Sequence, residues 1–204
     1  MSRDTGPRVK RMRALGVNLP GLSRKTIDRR PYGPGQHGSE RRRRQSDYGL
    51  QLQEKQKLRL NYGVSERQMR RLMLQARKST DPTGAKLLEL LERRLDNVVF
   101  RAGFAPTIPA ARQLVNHRHV LRNGRRADIA SIRVNTGDVI TLRVKAREMQ
   151  TVKDSVLAPP VARPDWMEFD EGEVTATIRE LPSADSVPFP IDVQQVVEFY
   201  SRRL

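Results

Sequence analysis

The apolar residues of this chain keep a helical period through about residue 115 and a strand-like alternation from residue 119, so it must build helices first and a sheet afterwards. Ser46 is an N-cap for a helix that carries Leu50, Leu58 and Leu60 and stops at Gly63. Ser65-Glu66-Arg67-Gln68 reads as a capping box, and it opens a helix whose Met69, Leu72, Met73 and Ala76 share one face. A third helix is predicted from near Thr83 to about Ala102, with Leu87, Leu88, Leu91, Leu95 and Val98 inward and Gly103 just past its end. Thr107 caps a short helix through Val115, with Pro109 tolerated in the first turn. Beyond it, His119-Val120-Leu121-Arg122 runs into Asn123-Gly124, a two-residue hairpin signal. Ile132–Val134 and Val139–Val144 flank a turn at Asn135–Asp138, and Trp166–Phe169 and Glu173–Leu181 flank Glu171-Gly172. A short helix around Thr151–Leu157 is inserted, and Asp192 caps a last helix, Val193–Arg203. The expected class is α+β: a mainly helical domain, and a second domain combining a helix-turn-helix-like module with a small antiparallel sheet.

Charge divides the chain as sharply as period does. Residues 1–80 carry a net +15, residues 81–150 a net +6, and residues 151–204 a net −5, for +16 in all. An excess of that size repels itself unless something anionic compensates it. Only 37% of residues are hydrophobic, against roughly 45–50% (Gly included) in an average domain, so the cores should be small. Nucleic acid and an anionic membrane are the candidate partners. No stretch approaches the ~18 apolar residues of a spanning helix, and Met1-Ser2-Arg3-Asp4 has no apolar segment behind it, so neither an anchor nor a secretory signal is expected. Without cysteine there is no disulfide framework and no thiolate metal site. The expectation is a cytoplasmic chain with its cationic half on nucleic acid and its acidic end toward solvent or protein.

Residues 1–45 hold 13 Lys and Arg, ending in Arg41-Arg42-Arg43-Arg44. Gly6-Pro7, Leu19-Pro20-Gly21 and the Gly/Pro turn at residues 30–35 argue against helix and strand, and the apolar surface is too small to order the segment alone. It is expected to be an irregular arm, mobile or folded against phosphate. The remaining divisions are 46–91 as the helical domain, completed by 192–204, then 92–145 as the module and 146–191 as the acidic remainder.

Several motifs suggest chemistry and fail on context. Gly33-Pro34-Gly35-Gln36-His37-Gly38 has the dinucleotide spacing, but Asp28-Arg29-Arg30-Pro31-Tyr32 before it is no buried strand. A turn that lays amides and Arg29, Arg30, Gln36 and His37 along phosphates fits better. Arg94-Leu95-Asp96 resembles the catalytic tripeptide of some pseudouridine synthases, yet Asn97-Val98-Val99 follows and about 100 residues remain, too few for that domain. Asp96 is read instead as a helix-surface carboxylate beside an arginine. His117-x-His119 has only His37 as a further imidazole, a poor metal set. No cofactor, metal or catalytic group is expected.

Residues 92–145 supply what a basic run lacks, an ordered module. Arg93, Arg94, Arg101, Arg112 and Arg118, with Gln113, His117 and Asn123, are expected along one edge, where guanidinium forks grip phosphates and read the shape of folded RNA. Arg67, Arg70 and Arg71 extend that basic surface. This stretch resembles the small RNA-binding module named after the fourth small-subunit ribosomal protein, which tyrosyl-tRNA synthetases and pseudouridine synthases also carry. The flanks are more specific. Arg29-Arg30-Pro31 before Gly33–Gly38, Ser46-Asp47-Tyr48-Gly49, Glu54-Lys55-Gln56-Lys57, Tyr62-Gly63 and Glu198-Phe199-Tyr200-Ser201-Arg202 are similar to the ribosomal-protein family itself, along essentially the whole chain.

That resemblance implies a structural, non-enzymatic constituent of the small subunit. It would bind a multi-helix junction in the 5′ domain of small-subunit ribosomal RNA early in assembly, with Lys55 and Lys57 among the contacts. It implies Arg41, Arg42, Arg43 and Arg44 near mRNA where it enters the subunit. It places Asp47, Tyr48 and Gln51 against the fifth small-subunit ribosomal protein, an interface that bears on decoding accuracy. Many relatives carry an N-terminal zinc site of four cysteines; here Val9, Met12 and Lys25 stand at matching positions, which excludes zinc and leaves the arm to be ordered by RNA. Rival readings are an RNA-modifying enzyme borrowing the module and a general RNA chaperone whose affinity tracks charge alone.

Overall fold

The computed structural model describes residues 6–40 and 45–201. In chain order the elements are α1 (Arg8–Leu15), α2 (Asp47–Asn61), α3 (Glu66–Arg77), α4 (Thr83–Glu92), α5 (Leu95–Arg101), α6 (Ile108–Asn116), β1 (Val120–Arg122), β2 (Arg125–Ala127), β3 (Val139–Leu142), α7 (Val144–Arg147), α8 (Gln150–Leu157), β4 (Met167–Asp170), β5 (Thr175–Ile178), a single 3-10 turn (Ala184–Ser186) and α9 (Val193–Ser201). The class is α+β, as the change of period requires.

Local chemistry sets most of the helix starts. Ser46 Oγ accepts the Gly49 amide ahead of α2, Ser65 and Gln68 complete a reciprocal capping box on α3, and Thr107 Oγ1 accepts from Ala110 on α6. Asp192 Oδ1 accepts from Gln194 and Gln195 at the start of α9. The α3 stripe of Met69, Leu72, Met73 and Ala76 is buried as its spacing predicts. α9 packs back on α2 and α3: Tyr48 stacks on Phe199 at 5.9 Å, Lys55 Nζ lies 4.8 Å from the same ring, and Tyr200 Oη donates to Glu66 at 2.7 Å.

The sheet is antiparallel with order β2-β1-β3-β5-β4. β1 and β2 close through Asn123 (φ 51) and Gly124 (φ 75), with Arg122 opposite Arg125, the left-handed pair that a two-residue hairpin turn demands. β3 is the joint, pairing Val120 with Leu142 on one side and Ile140 with Ala176 on the other. The basic hairpin and the acidic β4–β5 hairpin therefore share one sheet, and Val120, Ile140, Leu142, Ala176 and Ile178 bury its inner face.

Three expectations change. The arm is not irregular throughout: α1 forms between Pro7 and Gly16, which ends it at φ 70, and Met12, Leu19, Leu22 and Ile27 are buried in the core. Gly21 donates to Asn61 Oδ1 at 2.9 Å and accepts from the Ile108 amide at 2.8 Å, and a Cβ there would come within 2.7 Å of Asn61 O. Four well-spaced apolar side chains outweigh the Gly/Pro punctuation, and the arm packs on α2 and α6. Second, the helix expected from Thr83 to Ala102 breaks, because Arg94 turns extended (ψ 136) and bridges Arg133. Leu95 N donates to Ile132 O at 2.8 Å and Val134 N to Arg93 O at 2.9 Å. Third, residues 132–134 consequently pair with that helix junction and not with β3; Val144, expected in the strand, opens α7.

Candidate nucleic-acid interface

α5 and α6 pack against each other, α6 through Ile108, Ala111 and Val115. Its outer side then presents Gln113, with His117 and Arg118 just beyond, all exposed, and the chain leaves through Arg118 at φ 61. Arg118 Nε sits 3.2 Å from Asp128, an exposed pair of little energetic weight. His119 Nδ1 is buried without a hydrogen-bond partner among the described residues; burial, then His117 and Arg143, hold its pKa below the usual imidazole value, so it stays neutral beside this basic surface.

The hairpin adds two residues that sequence reasoning missed. Arg125 and Arg126 are exposed on β2 and have no carboxylate partner among the described residues. The signal was present, since strand positions beside an Asn-Gly turn project from the tip of a short ribbon. Asn123 itself is committed inward, with Nδ2 donating to Asp138 at 2.7 Å and Oδ1 accepting the Val139 amide at 2.8 Å. Burial raises the Asp138 pKa, but Arg122, the Asn135 amide and Asn123 outweigh it and hold the carboxyl below its ordinary value.

Two further basic surfaces are exposed. On α3, Arg67, Arg70 and Arg71 stand clear of the buried stripe. On the arm, Arg29, Arg30, Gln36 and His37 are exposed around a turn closed by Gly33 N to Gly38 O at 3.0 Å. Gly38 sits so close to Gly33 O that a Cβ would clash at 2.0 Å. Arg13 pins the turn by donating to Tyr32 O and Gly33 O at 3.0 and 2.9 Å, and Glu40 holds His37 Nδ1 at 2.5 Å. No strand precedes this turn and no helix opens from it, so the dinucleotide reading falls. Arg41–Arg44 lie outside the described residues.

Other expected interface residues are interior. Lys55 is 5% exposed and bonds Glu66 at 2.8 Å; Lys57 is buried on Glu54 at 2.5 Å; Gln51 is buried on Glu198 at 3.1 Å. Glu66 is held below its ordinary pKa despite burial, because Lys55 and Tyr200 both donate to it. Arg94 and Arg101 are also buried, and with Arg93 and Arg112 they form internal ties. Asp96, fully buried and not on a helix surface, accepts Arg94 Nε and Nη2 at 3.0 and 2.8 Å and Arg112 Nε and Nη2 at 3.0 and 2.6 Å. Arg112 also donates to Gly63 O at 2.9 Å, and Arg93 to Glu89 at 2.8 Å and Val134 O at 3.0 Å. Glu92, also fully buried, accepts from Tyr62 Oη and from Asn97 Nδ2 at 2.9 Å, with Arg101 Nε at 3.4 Å; burial still raises its pKa above the usual carboxylate value. These carboxylates join the end of α2 to α4, α5 and α6. They are structural because each ion is met by hydrogen bonds inside the fold.

Met12 is buried, with its Sδ accepting the Leu19 amide at 3.4 Å, and Val9 and Lys25 supply no ligand set beside it. Among the described residues no group of three or more His, Asp or Glu could hold a metal, and no helix is long and apolar enough to cross a membrane.

Comparison with known proteins matches this sequence to two named families. Residues 3–92 match "Ribosomal protein S4/S9 N-terminal domain" and residues 93–140 match "S4 domain". Over 205 aligned positions the chain is 63% identical to small ribosomal subunit protein uS4B of Nitrosomonas europaea. It is 61% identical to uS4 of Methylobacillus flagellatus and 53% to uS4 of Crocosphaera subtropica, and in all three cases both chains are covered completely.

Proposed function

The chain belongs to the uS4 family of small ribosomal subunit proteins, and from that premise we propose how it serves there. The family is structural and not enzymatic, so the chain is a constituent of the small subunit whose partner is small-subunit ribosomal RNA. In our reading it binds a multi-helix junction of the 5′ domain early in assembly, in the cytoplasm. Residues 46–91 with 192–204 form one unit and 92–145 the RNA-binding module, with 146–191 its acidic extension.

The observation that supports this most is the sorting of the arginines. Buried Arg94 and Arg101, with Arg93 and Arg112 beside them, are paired with carboxylates, whereas Arg67, Arg71, Arg125 and Arg126, with Arg29 and Arg30 on the arm, are exposed and have no carboxylate partner among the described residues. Fixed, unneutralised guanidinium forks on a pre-ordered scaffold suit the shape-based recognition of folded RNA. Gln113, His117, Arg118 and Arg70 complete the surface. Asp47 and Tyr48 are exposed at the start of α2, and in this reading they serve the contact with the fifth small-subunit ribosomal protein that bears on accuracy, while Arg41–Arg44, outside the described residues, serve the mRNA entry.

Competition binding tests the reading, with the 5′ domain of small-subunit ribosomal RNA against unrelated folded RNA over a salt series. Binding to the ribosomal RNA that survives salt far better than binding to the competitor is expected. Equal, steeply salt-dependent binding to both would reduce the chain to a cationic RNA chaperone.

A further inference from the structure

α3, the end of α4 and residues 131–133 line an open cleft of about 460 Å³, with Arg71, Arg94, Ser131 and Arg133 beside the apolar Leu72, Leu74 and Leu90. Its cations are unequal. Arg94 is neutralised by Asp96, and neighbouring Arg93 by Glu89. Among the described residues the Arg133 side chain meets the neutral oxygen of Gln75 and no carboxylate within ion-pair distance. Half-buried, with Arg93 and Arg94 close by and Glu89 offsetting them in part, Arg133 has its charged form disfavoured by burial first and those two guanidiniums next. Arg71, exposed at the rim, brings a second guanidinium without a carboxylate partner among the described residues. A half-buried cation without a carboxylate partner among the described residues, facing an open cleft, is placed to take an anion from outside.

We propose that this cleft seats backbone phosphate of the ribosomal RNA, gripped by the forks of Arg133 and Arg71 with the Ser131 hydroxyl as a further donor. The proposal rests on the RNA-binding reading above and gives that reading a specific anchor outside α6 and the hairpin. Phosphate accepts two parallel N–H bonds from each fork, and its charge relieves the crowding of Arg133 by Arg93 and Arg94. A carboxylate of a neighbouring protein would make similar contacts, and the RNA measurements separate the two.

The test uses the full chain carrying Arg71→Gln with Arg133→Gln, and the 5′-domain RNA and an unrelated folded RNA as probes. Removing the two cations that hold this phosphate should make the dependence of log K on log salt shallower by about 0.7–0.9 and weaken binding at low salt at least tenfold. The thermal midpoint should stay level or rise, because a crowded cation has been removed. Arg133→Lys should restore the slope and only part of the affinity, since it keeps the charge and loses the fork. Lys145→Gln with Lys153→Gln, exposed on α7 and α8, removes the same charge and should leave the slope unchanged. An unaltered slope in the cleft variant, or an equal change in the lysine control, overturns the proposal and leaves the ribosomal reading intact. If the unaltered protein prefers neither RNA, that reading fails on its own, and the slope difference between variant and unaltered protein still decides whether the cleft holds phosphate.

Discussion

Arg94 and Arg126 lie within the same S4-domain match and do opposite work. The Arg94 side chain is 6% exposed and forks onto a fully buried carboxylate, whereas Arg126 stands on a two-residue hairpin with nothing anionic beside it among the described residues. The difference teaches that a net charge of +16 is not a binding charge. Part of it is consumed inside, where Arg101, Arg112 and Lys55 tie helices together and Arg94 and Lys57 pair with carboxylates close by in the chain. Those ties fix the positions of the exposed cations, so the RNA meets a surface that loses little freedom on binding. The two populations are therefore coupled, but they should fail in different assays.

The sharpest way to break the comparison is Asp96→Ala. It strands Arg94 in the interior and frees Arg112 from its main acceptor, so a stability loss of about 3–5 kcal/mol is expected in urea unfolding. A loss under about 1 kcal/mol would mean that the internal arginines find other partners and are not structural ties. Arg125→Gln with Arg126→Gln should behave the other way. The thermal midpoint should move by no more than a degree or two, while affinity for the 5′-domain RNA falls about tenfold and its salt slope becomes shallower by about 1–2. A falling midpoint with unchanged affinity would exchange the roles assigned here.

Where sequence reasoning succeeded, the controlling interaction was local. Ser46, Ser65 with Gln68, Thr107 and Asp192 cap their helices through atoms two or three residues away, and Asn123-Gly124 closes its hairpin with its own dihedral angles. Where it failed, the controlling partner was remote. The break at Arg94 depends on Arg133, the burial of Lys55 on Glu66 and Phe199, and that of Arg101 on Ser186 O at 2.6 Å. A basic residue on a helix looks the same in sequence whether its partner is an RNA phosphate or a carboxylate across the fold. The arm was misread for a related reason, since Met12, Leu19, Leu22 and Ile27 are sparse along the chain and gather only against α2 and α6.

A smaller effect probes the joint of the sheet. Asp138 holds Arg122 at 2.8 Å and Asn123 at 2.7 Å, and its pKa lies below the ordinary carboxylate value in the folded chain. A depressed folded pKa means that the unfolded chain binds the proton more readily. The stabilisation is then complete above the unfolded value of about 3.9 and is lost as pH falls through the folded value. The stability gap between the protein and Asp138→Asn should be constant from neutral pH down to about 5 and close below about 4. A gap that instead narrows near neutral pH would assign the effect to a group other than this carboxylate.

The smallest effect is expected at the acidic end of the same sheet. Glu168, Glu171 and Glu173 are exposed on or beside the β4–β5 hairpin, which β3 separates from the basic β1–β2 hairpin, so two to three strand spacings lie between β1 and these strands. With strands about 4.8 Å apart, that separation exceeds the ~8 Å screening length at physiological salt. Glu168→Gln with Glu171→Gln and Glu173→Gln removes three charges and should change RNA affinity by less than twofold. Asp170 is left in place because it accepts the Gly172 and Glu173 amides at 2.8 and 3.2 Å, and losing that turn would confuse shape with charge. A clear rise in affinity would show that RNA passes within a screening length of this hairpin. A clear fall would show that the acidic end touches RNA, and the division into a binding half and a free half would have to be redrawn along the β3–β5 joint.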